Sequence, residues 1–162
     1  MKVLVTGAGG FIGSKLCKKL ISEGYEVYGI IHNNPSKAEG IQIINADLTK
    51  NDFVIPDVKF DAVFHLAAAT PLVKDKKKQK RINYEGTVNL FEKIKDKTNF
   101  IIYASGLGVF GNPKGIVNEQ SLMQPDTDFV KIRLEAQRFL EDSCKNNNIG
   151  FSVCYFGDVY GN

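Results

Sequence analysis

The sequence has few residues of the kinds that build metal centres or disulfide frameworks. Its three cysteines, Cys17, Cys144 and Cys154, are scattered and odd in number, and no Cys-x-x-Cys pair or Cys/His cluster occurs. We therefore expect no bound metal, no disulfide scaffold, and a reducing, cytoplasmic location. Apolar runs of the ~20 residues that span a bilayer are also missing, so we expect no membrane partner.

Charge of one sign is not in strong excess either. The formal net charge is +3, with 43% hydrophobic and 24% charged residues, which is typical of a globular protein and argues against a largely disordered chain. The weak positive charge does not by itself indicate nucleic-acid binding. A chain of 162 residues fits one compact domain with a sizeable core.

One segment, Lys76–Arg81, is strongly basic. It could hold a nucleic acid or another anionic partner. No aromatic residues are interleaved with it and no nucleic-acid fold signature accompanies it, so we favour a solvated helix start and expect no nucleic-acid partner.

Short apolar runs alternate with segments of helical periodicity along the whole chain. The predicted strands are Lys2–Thr6, Tyr25–Ile31, Ile41–Ile44, Ala62–Leu66, Phe100–Tyr103 and Phe151–Tyr155. The predicted helices are one from Phe11 that ends at Gly24, one carrying Val88, Leu90, Phe91 and Ile94, and one over Phe129–Cys144, with mostly loop from Gly106 to Asp128. This alternation predicts an α/β fold: a doubly wound parallel sheet with helices on both faces, in one domain over residues 1–162.

A glycine-rich turn, Gly7 to Gly13, joins the first predicted strand to the first helix. Its glycines at 7, 10 and 13 suit a tight turn, close approach of backbone to a pyrophosphate, and close packing of helix on sheet. The helix N-terminus then offers free N–H groups and a partial positive charge to phosphates. The alternative is an ordinary tight turn; in this context we favour nucleotide binding.

The turn resembles the Rossmann-type start of the NAD-dependent epimerase/dehydratase family, within the extended short-chain dehydrogenase/reductases. Further segments resemble the family's motifs, in the family's order. They are Asp47-Leu48, His65–Ala69, Asn83–Thr87, Ser105–Gly111, Asn118-Glu119 and Gly157–Gly161.

The resemblance implies a site for NAD or NADP at the strand ends. The candidate cofactor-binding residues are Gly7, Gly10, Phe11, Ile12, Gly13, His32, Asp47, Leu48, Leu66, Ala67, Ala68, Asn83, Ala104, Arg133 and Phe156. Several have structural alternatives: Asp47 as a turn residue, Ala67–Ala69 as close packing, His65 as a core or strand-end histidine, and Asn83 as a holder of backbone.

The end of the second strand bears on the choice between NAD and NADP. NAD sites place an acid there for the ribose 2′-OH, about 20 residues past the turn, whereas NADP sites lack the acid and use a cation. The stretch Ile30–Asn34 contains no acid, and His32 or Lys37 could pair with a 2′-phosphate. We therefore favour NADP slightly, or little discrimination, against the alternative that His32 is a plain surface residue.

The catalytic positions depart from the family pattern. The family's Tyr-x-x-x-Lys, whose lysine lowers the tyrosine pKa for proton transfer, is matched here by Phe129 and Arg133, so the proton-carrying hydroxyl is missing. The position of the usual catalytic Ser or Thr is occupied by Gly106. Ser105, one residue earlier, could donate a hydrogen bond to a ligand or have a structural role at the strand end. Tyr103, Tyr155 and Tyr160 are the tyrosines that could substitute from other elements.

Two main hypotheses follow. The first is an epimerase/dehydratase-like oxidoreductase with a nucleotide-sugar or related hydroxyl substrate and an atypical site built on Ser105, Phe129 and Arg133. The second is a non-catalytic dinucleotide-binding module or sensor. A third is a fragment whose exposed sheet edge pairs with a second copy or a partner, since the C-terminal substrate domain usual in the family is absent from these residues.

Overall fold

The chain folds around a six-stranded sheet in which every strand pairs in parallel. The computed structural model describes residues 1–35 and 39–161. The strands are β1 (Lys2–Thr6), β2 (Glu26–Ile31), β3 (Gln42–Asn45), β4 (Ala62–His65), β5 (Phe100–Gly106) and β6 (Gly150–Phe156). Their order across the sheet is β3-β2-β1-β4-β5-β6, which is the strand order of the Rossmann fold. The predicted strands and the doubly wound topology are therefore confirmed.

Four α-helices in the described ranges connect or follow the strands. They are α1 (Phe11–Ser22), α2 (Lys76–Lys80), α3 (Gly86–Ile94) and α4 (Asp128–Asn146). Gly24 follows α1 with φ +82°, and its amide bonds the Ile21 carbonyl, as predicted for a glycine at a helix end.

Two irregular turns were not predicted. A π-helical turn, Arg81–Glu85, joins α2 to α3, and a 3₁₀ turn, Leu107–Phe110, occupies the start of the segment predicted as loop. The basic run forms α2 up to Lys80, with Asp75 accepting from the Lys77 and Lys78 amides as its N-cap, so the predicted helix start is confirmed. Lys76 also pairs with Asp128 of α4.

Alternating side chains of β1 pack into two separate hydrophobic cores, one on each face of the sheet. Val3 and Val5 pack with Cys17 and Leu20 of α1 on one face. Leu4 belongs to the opposite core, which contains Leu90, Phe91 and Ile94 of α3 and Ala136, Leu140 and Cys144 of α4. Helices therefore cover both faces, as predicted, and they lock the register of the central strands.

The topology fixes where a ligand would bind. The connection from β1 leaves toward one side of the sheet and that from β4 toward the other, so a crevice opens at the carboxyl ends of these neighbouring strands. None of the helices in the described ranges combines the length and hydropathy that a membrane span requires.

Candidate functional site

The glycine turn sits at this crevice and is held against its neighbours. Gly7 has φ +68°, and a Cβ there would lie 3.0 Å from the Ala67 amide nitrogen, which follows β4. The Gly10 amide bonds the Gly7 carbonyl at 2.8 Å, and the Ala8 amide bonds the Ile30 carbonyl of β2 at 3.1 Å. Positive φ and a close backbone approach both favour glycine at position 7.

Two further glycines of the turn are fixed by packing. A Cβ on Gly13 would collide with the Gly7 carbonyl, which agrees with the predicted close approach of helix to strand. A Cβ on Gly9 would collide with the Asn34 carbonyl. Gly9 is missing from the predicted site residues because the contact depends on where the chain after β2 runs, which the local spacing does not reveal.

The first turn of α1 is open at its N-terminus. Gly10 is the N-cap residue with φ −79° and ψ 172°, none of the described side chains caps the helix, and its first turn carries no acidic residue. Phe11 is exposed, and Ile12 is half-buried beside it. The amides of this turn, together with the helix dipole, can therefore serve an anion that arrives from solvent.

The stretch after β4 forms the opposite wall of the crevice. Leu66 and Ala67 are half-buried, and Ala68 is exposed. Asn83 is fully buried, and its side chain accepts from the Ala69 amide at 2.7 Å and donates to the Ala69 carbonyl at 3.5 Å. Asn83 therefore shapes this wall by holding backbone, which agrees with its structural alternative.

His32 and Asp47 meet at the ends of β2 and β3. Their Nε2 and Oδ2 atoms lie 3.8 Å apart, with His32 exposed. The other oxygen of Asp47 accepts from the Thr49 amide and hydroxyl, at 3.0 and 2.8 Å. Burial opposes ionisation of Asp47, but the bonds from Thr49 and the nearby His32 together hold the pKa of its carboxyl below the usual value.

Two further predicted site residues, Leu48 and Lys37, are close to this pair in the sequence. Leu48 is buried in the core beneath the crevice, and its carbonyl accepts from the Asn89 side chain at 2.9 Å. Lys37, the other predicted phosphate partner, lies outside the described residues.

Arg133 turns inward beneath the strand ends. Its guanidinium lies 4.7 Å from the centroid of the Tyr103 ring and donates to the Ala104 carbonyl. The Tyr103 hydroxyl donates in turn to the Arg133 carbonyl at 3.3 Å. Burial raises the pKa of Tyr103 although the Arg133 charge opposes the rise, so this tyrosine is a poor proton carrier in the folded chain.

The Ser105 side chain lies on the same face of β5 as that of Tyr103, two residues earlier. In the strand register Ser105 is paired with Tyr155 of β6. Its Oγ is buried and has no hydrogen-bond partner among residues 1–35 and 39–161, and the same holds for Oε1 of Gln137. The Gln137 amide donates to the Tyr155 hydroxyl at 2.8 Å. Two buried acceptors without partners at one end of the sheet leave capacity to bind polar groups.

The remaining predicted residues lie around this end of the sheet. Phe129 is half-buried in the first turn of α4, one turn before Arg133, and Phe156 is half-buried at the end of β6. Tyr160 is almost fully exposed. Burial raises the pKa of Tyr155, although the Gln137 bond opposes the rise. Within the described ranges no cluster of His, Cys, Asp or Glu side chains could hold a metal ion.

Comparison with known proteins identifies the family of this chain. The sequence profile of the NAD-dependent epimerase/dehydratase family matches residues 3–162. The chain belongs to the NAD-dependent epimerase/dehydratase family.

Individual relatives agree with this membership. The chain is 31% identical to a UDP-glucose 4-epimerase of Mycolicibacterium smegmatis, over 99% of this chain and 57% of that protein. It is 29% identical to an ADP-L-glycero-D-manno-heptose-6-epimerase of Brachyspira hyodysenteriae, over 98% of this chain and 55% of that protein. The solved UDP-glucuronic acid 4-epimerase of Bacillus cereus, in complex with NAD, matches with a TM-score of 0.82 and 31% identity, over 99% of this chain and 57% of that chain. The chain thus spans little more than half the length of the relatives it matches.

Proposed function

We propose that residues 1–162 bind NAD as the cofactor-binding part of an epimerase/dehydratase-type oxidoreductase. The observation that carries this proposal is the uncapped N-terminus of α1, which opens from the glycine turn into the crevice between β1 and β4. The resemblance to the B. cereus enzyme, which was solved with NAD, supports it.

The residues of the crevice have separate roles in this proposal. The amides at Phe11 and Ile12 face the pyrophosphate, since no side chain of the described ranges caps them. Leu66, Ala67 and Ala68 line the path of a ribose. Bound NAD would supply hydride transfer, while the chain supplies position and electrostatics.

For the adenosine half we propose NAD over NADP. A 2′-phosphate beside His32 would also lie near the Asp47 carboxylate, which already faces His32 at 3.8 Å. Like charges at such distances repel, so Asp47 disfavours the phosphate. This proposal differs from the slight preference for NADP drawn from the sequence, which rested on the absence of an acid at the end of β2 and did not anticipate the approach of Asp47 from β3.

The substrate we propose is a nucleotide sugar, the class that the names of the matched epimerases carry. A homodimer and a cytoplasmic location stay predictions of the sequence. In such a substrate the hydroxyl to be oxidised must lose a proton as well as a hydride, so a proton acceptor is needed. Ser105 is the candidate hydrogen-bond partner of that hydroxyl, since its buried Oγ is free of partners among the described residues. A neutral serine can pass the proton on but does not keep it, so in this proposal the proton goes to solvent water.

A second candidate function is a binding module that holds the dinucleotide without turnover. Three observations favour it: Phe129 has no hydroxyl, the Arg133 guanidinium is engaged with Tyr103 and Ala104, and the Tyr103 hydroxyl is committed to the Arg133 carbonyl. In this case the expected ligand is the same and only the chemistry is lost.

Calorimetric titration with NAD⁺, NADH, NADP⁺ and NADPH tests the shared claim. We expect saturable binding of the NAD forms by the wild-type chain and its loss in Gly7→Ala. Gly24→Ala is the matched control, because Gly24 also has positive φ but a Cβ there meets no atom of residues 1–35 or 39–161 within 4 Å. No binding at millimolar concentrations by the wild type would overturn the proposal.

The two candidates separate in a second experiment. Wild type and the double variant Phe129→Tyr with Arg133→Lys are loaded with NAD⁺ and UDP-glucose, and reduced nicotinamide is followed by absorbance. Reduction by the wild type supports the oxidoreductase. A wild type that binds NAD and is silent, with reduction only in the double variant, supports the binding module.

A further inference from the structure

A buried histidine joins the two walls of the crevice. His65, the last residue of β4, is 1% exposed and stands between two buried threonines. Its Nδ1 lies 2.7 Å from Oγ1 of Thr6, the last residue of β1, and its Nε2 lies 2.8 Å from Oγ1 of Thr87 in α3. The imidazole therefore spans from the strand that leads into the glycine turn to the helix behind the opposite wall.

Counting protons fixes the tautomer at both ends. Thr87 Oγ1 donates its hydrogen to the Asn83 carbonyl at 2.8 Å, so toward His65 it must accept, and Nε2 must carry a hydrogen. Thr6 Oγ1 already accepts from the Leu66 and Ala67 amides, at 3.1 and 3.0 Å, so toward Nδ1 its own hydrogen must donate. Both ends independently require the neutral imidazole protonated on Nε2.

These bonds close a ring around one wall of the crevice. Thr6 holds the amides at the start of the stretch Leu66–Ala69, and Asn83 holds the amide at its end, at 2.7 Å. Thr87 is bonded to Asn83, and His65 connects Thr87 back to Thr6. The same stretch is where the backbone of Ala67 lies against Gly7.

We propose that His65 is a positioning residue of the cofactor site, which sets the spacing between the glycine turn and the Leu66–Ala69 wall through Thr6 and Thr87. This inference rests on the proposed NAD site at the same crevice. His65 does not line the crevice itself, because its side chain is enclosed by the core.

Neutral imidazole suits this place because it accepts at one end and donates at the other. A protonated ring would present two donors, and Thr6 has no free lone pair to receive the second one. Burial, followed by the charge of Arg133, lowers the pKa of His65 to about 3, so the network keeps its proton order at neutral pH.

Two asymmetric variants divide the network. In His65→Asn the side-chain oxygen can replace Nδ1 and keep the Thr6 bond, whereas in His65→Gln the amide can replace Nε2 and keep the Thr87 bond. Thr6→Val removes the hydroxyl that bonds the Leu66 and Ala67 amides, while the volume of the side chain stays nearly the same. Thr6→Ser keeps that hydroxyl.

The test combines ¹⁵N NMR of the imidazole with calorimetric NAD affinity. We expect an unprotonated Nδ1 and a protonated Nε2 in the wild type, and NAD affinity about tenfold weaker in Thr6→Val and in His65→Gln. Affinity close to that of wild type is expected in Thr6→Ser and in Leu140→Ala, a control that weakens the core without touching the network. The variants Thr6→Val and Thr87→Val should be non-additive in NAD affinity, because their hydroxyls bond the two nitrogens of one imidazole.

Each other outcome is decisive. A hydrogen on Nδ1, or wild-type affinity in folded Thr6→Val, overturns the positioning role while the proposed NAD site stands. Equal weakening in Leu140→Ala also overturns it, since the effect would then follow stability alone. A wild-type chain that binds no NAD overturns both proposals, and the failure then lies with the proposed function.

Discussion

Arg133 and Tyr103 hold each other in a reciprocal contact: the guanidinium stacks on the ring at 4.7 Å, and the hydroxyl donates to the arginine carbonyl at 3.3 Å. The side chain at the position of the family's lysine is thereby tied to the core of the sheet. Its third contact, with the Ala104 carbonyl, fixes the end of β5 beneath the crevice. This geometry makes Arg133 a structural residue in addition to any contact with a ligand.

The first prediction concerns that contact. Arg133→Lys should lower the free energy of unfolding by about 1–2 kcal/mol, because an ammonium cannot stack on Tyr103 and bond Ala104 at once in the arginine's geometry. Urea unfolding followed by circular dichroism measures the change. Arg138→Lys, an exposed position on the same helix, is the control and should change little. Equal stabilities for the two variants would refute the assigned role.

A second prediction follows from the depressed pKa of His65. Between its ordinary value of 6.5 and about 3, the unfolded chain binds a proton at this side chain that the folded chain does not. The free energy of unfolding must therefore fall as pH drops through this window, and the contribution is fully present above pH 6.5.

The measurement compares urea unfolding at pH 7 and pH 5. From this site alone we expect wild type to lose about 2 kcal/mol more than His65→Gln over that interval. Leu140→Ala serves as control, because it weakens the core without removing a titratable side chain and should leave the wild-type pH dependence in place. Parallel pH profiles for wild type and His65→Gln would show that His65 titrates normally in the fold.

The glycine turn supplies a third prediction, in which stability and binding separate. Gly10 has ordinary dihedral angles for an N-cap residue, so Gly10→Asp keeps the backbone and adds a carboxylate to the first turn of α1. The free energy of unfolding should stay within about 1 kcal/mol of wild type, because the cap interaction offsets the tight 3.1 Å approach of Cβ to the Gly7 carbonyl.

Affinity for NAD should fall by about tenfold or more in the same variant, since the carboxylate occupies the place of the pyrophosphate and repels its negative charge. Gly10→Ala separates size from charge and should lose less. If NAD binds Gly10→Asp as tightly as wild type, the pyrophosphate does not lie on α1.

Elements with a clear repeat were predictable from the sequence, and contacts across the sheet were not. β1, β2, β4, β5 and α4 follow from apolar runs or helical spacing, because buried parallel strands and amphipathic helices leave a local pattern. The π-helical turn Arg81–Glu85 leaves none, since it arises from the junction of two helices.

The same distinction applies to the site. The glycine turn is predictable from the sequence because Gly7, Gly10 and Gly13 lie within a span of seven residues. The Thr6–His65–Thr87 network joins residues 59 and 22 positions apart. The register of β1 and β4 brings Thr6 to His65, and the packing of α3 on the sheet brings Thr87 to it. The inward turn of Arg133 and the approach of Asp47 to His32 likewise depend on neighbours that are distant in sequence. Residue types therefore suggested which positions form the site, whereas the partners of those positions required the fold.

The last prediction tests cofactor choice at the end of β2. His32→Asp introduces an acid where NAD sites bond the ribose 2′-OH, beside the existing Asp47 carboxylate. Affinity for NADP⁺ should fall by about tenfold or more relative to wild type, because two carboxylates would face the 2′-phosphate, while affinity for NAD⁺ should be kept or improved.

Calorimetric titration of both cofactors gives the ratio of their affinities directly. Asn99→Asp also introduces a carboxylate, on an exposed residue just before β5 at the amino ends of the strands, and should leave that ratio unchanged. An unchanged ratio in His32→Asp would mean that the adenine ribose does not reach the end of β2. Selectivity would then have to come from another part of the crevice, and Asp47 would lose its proposed part in it.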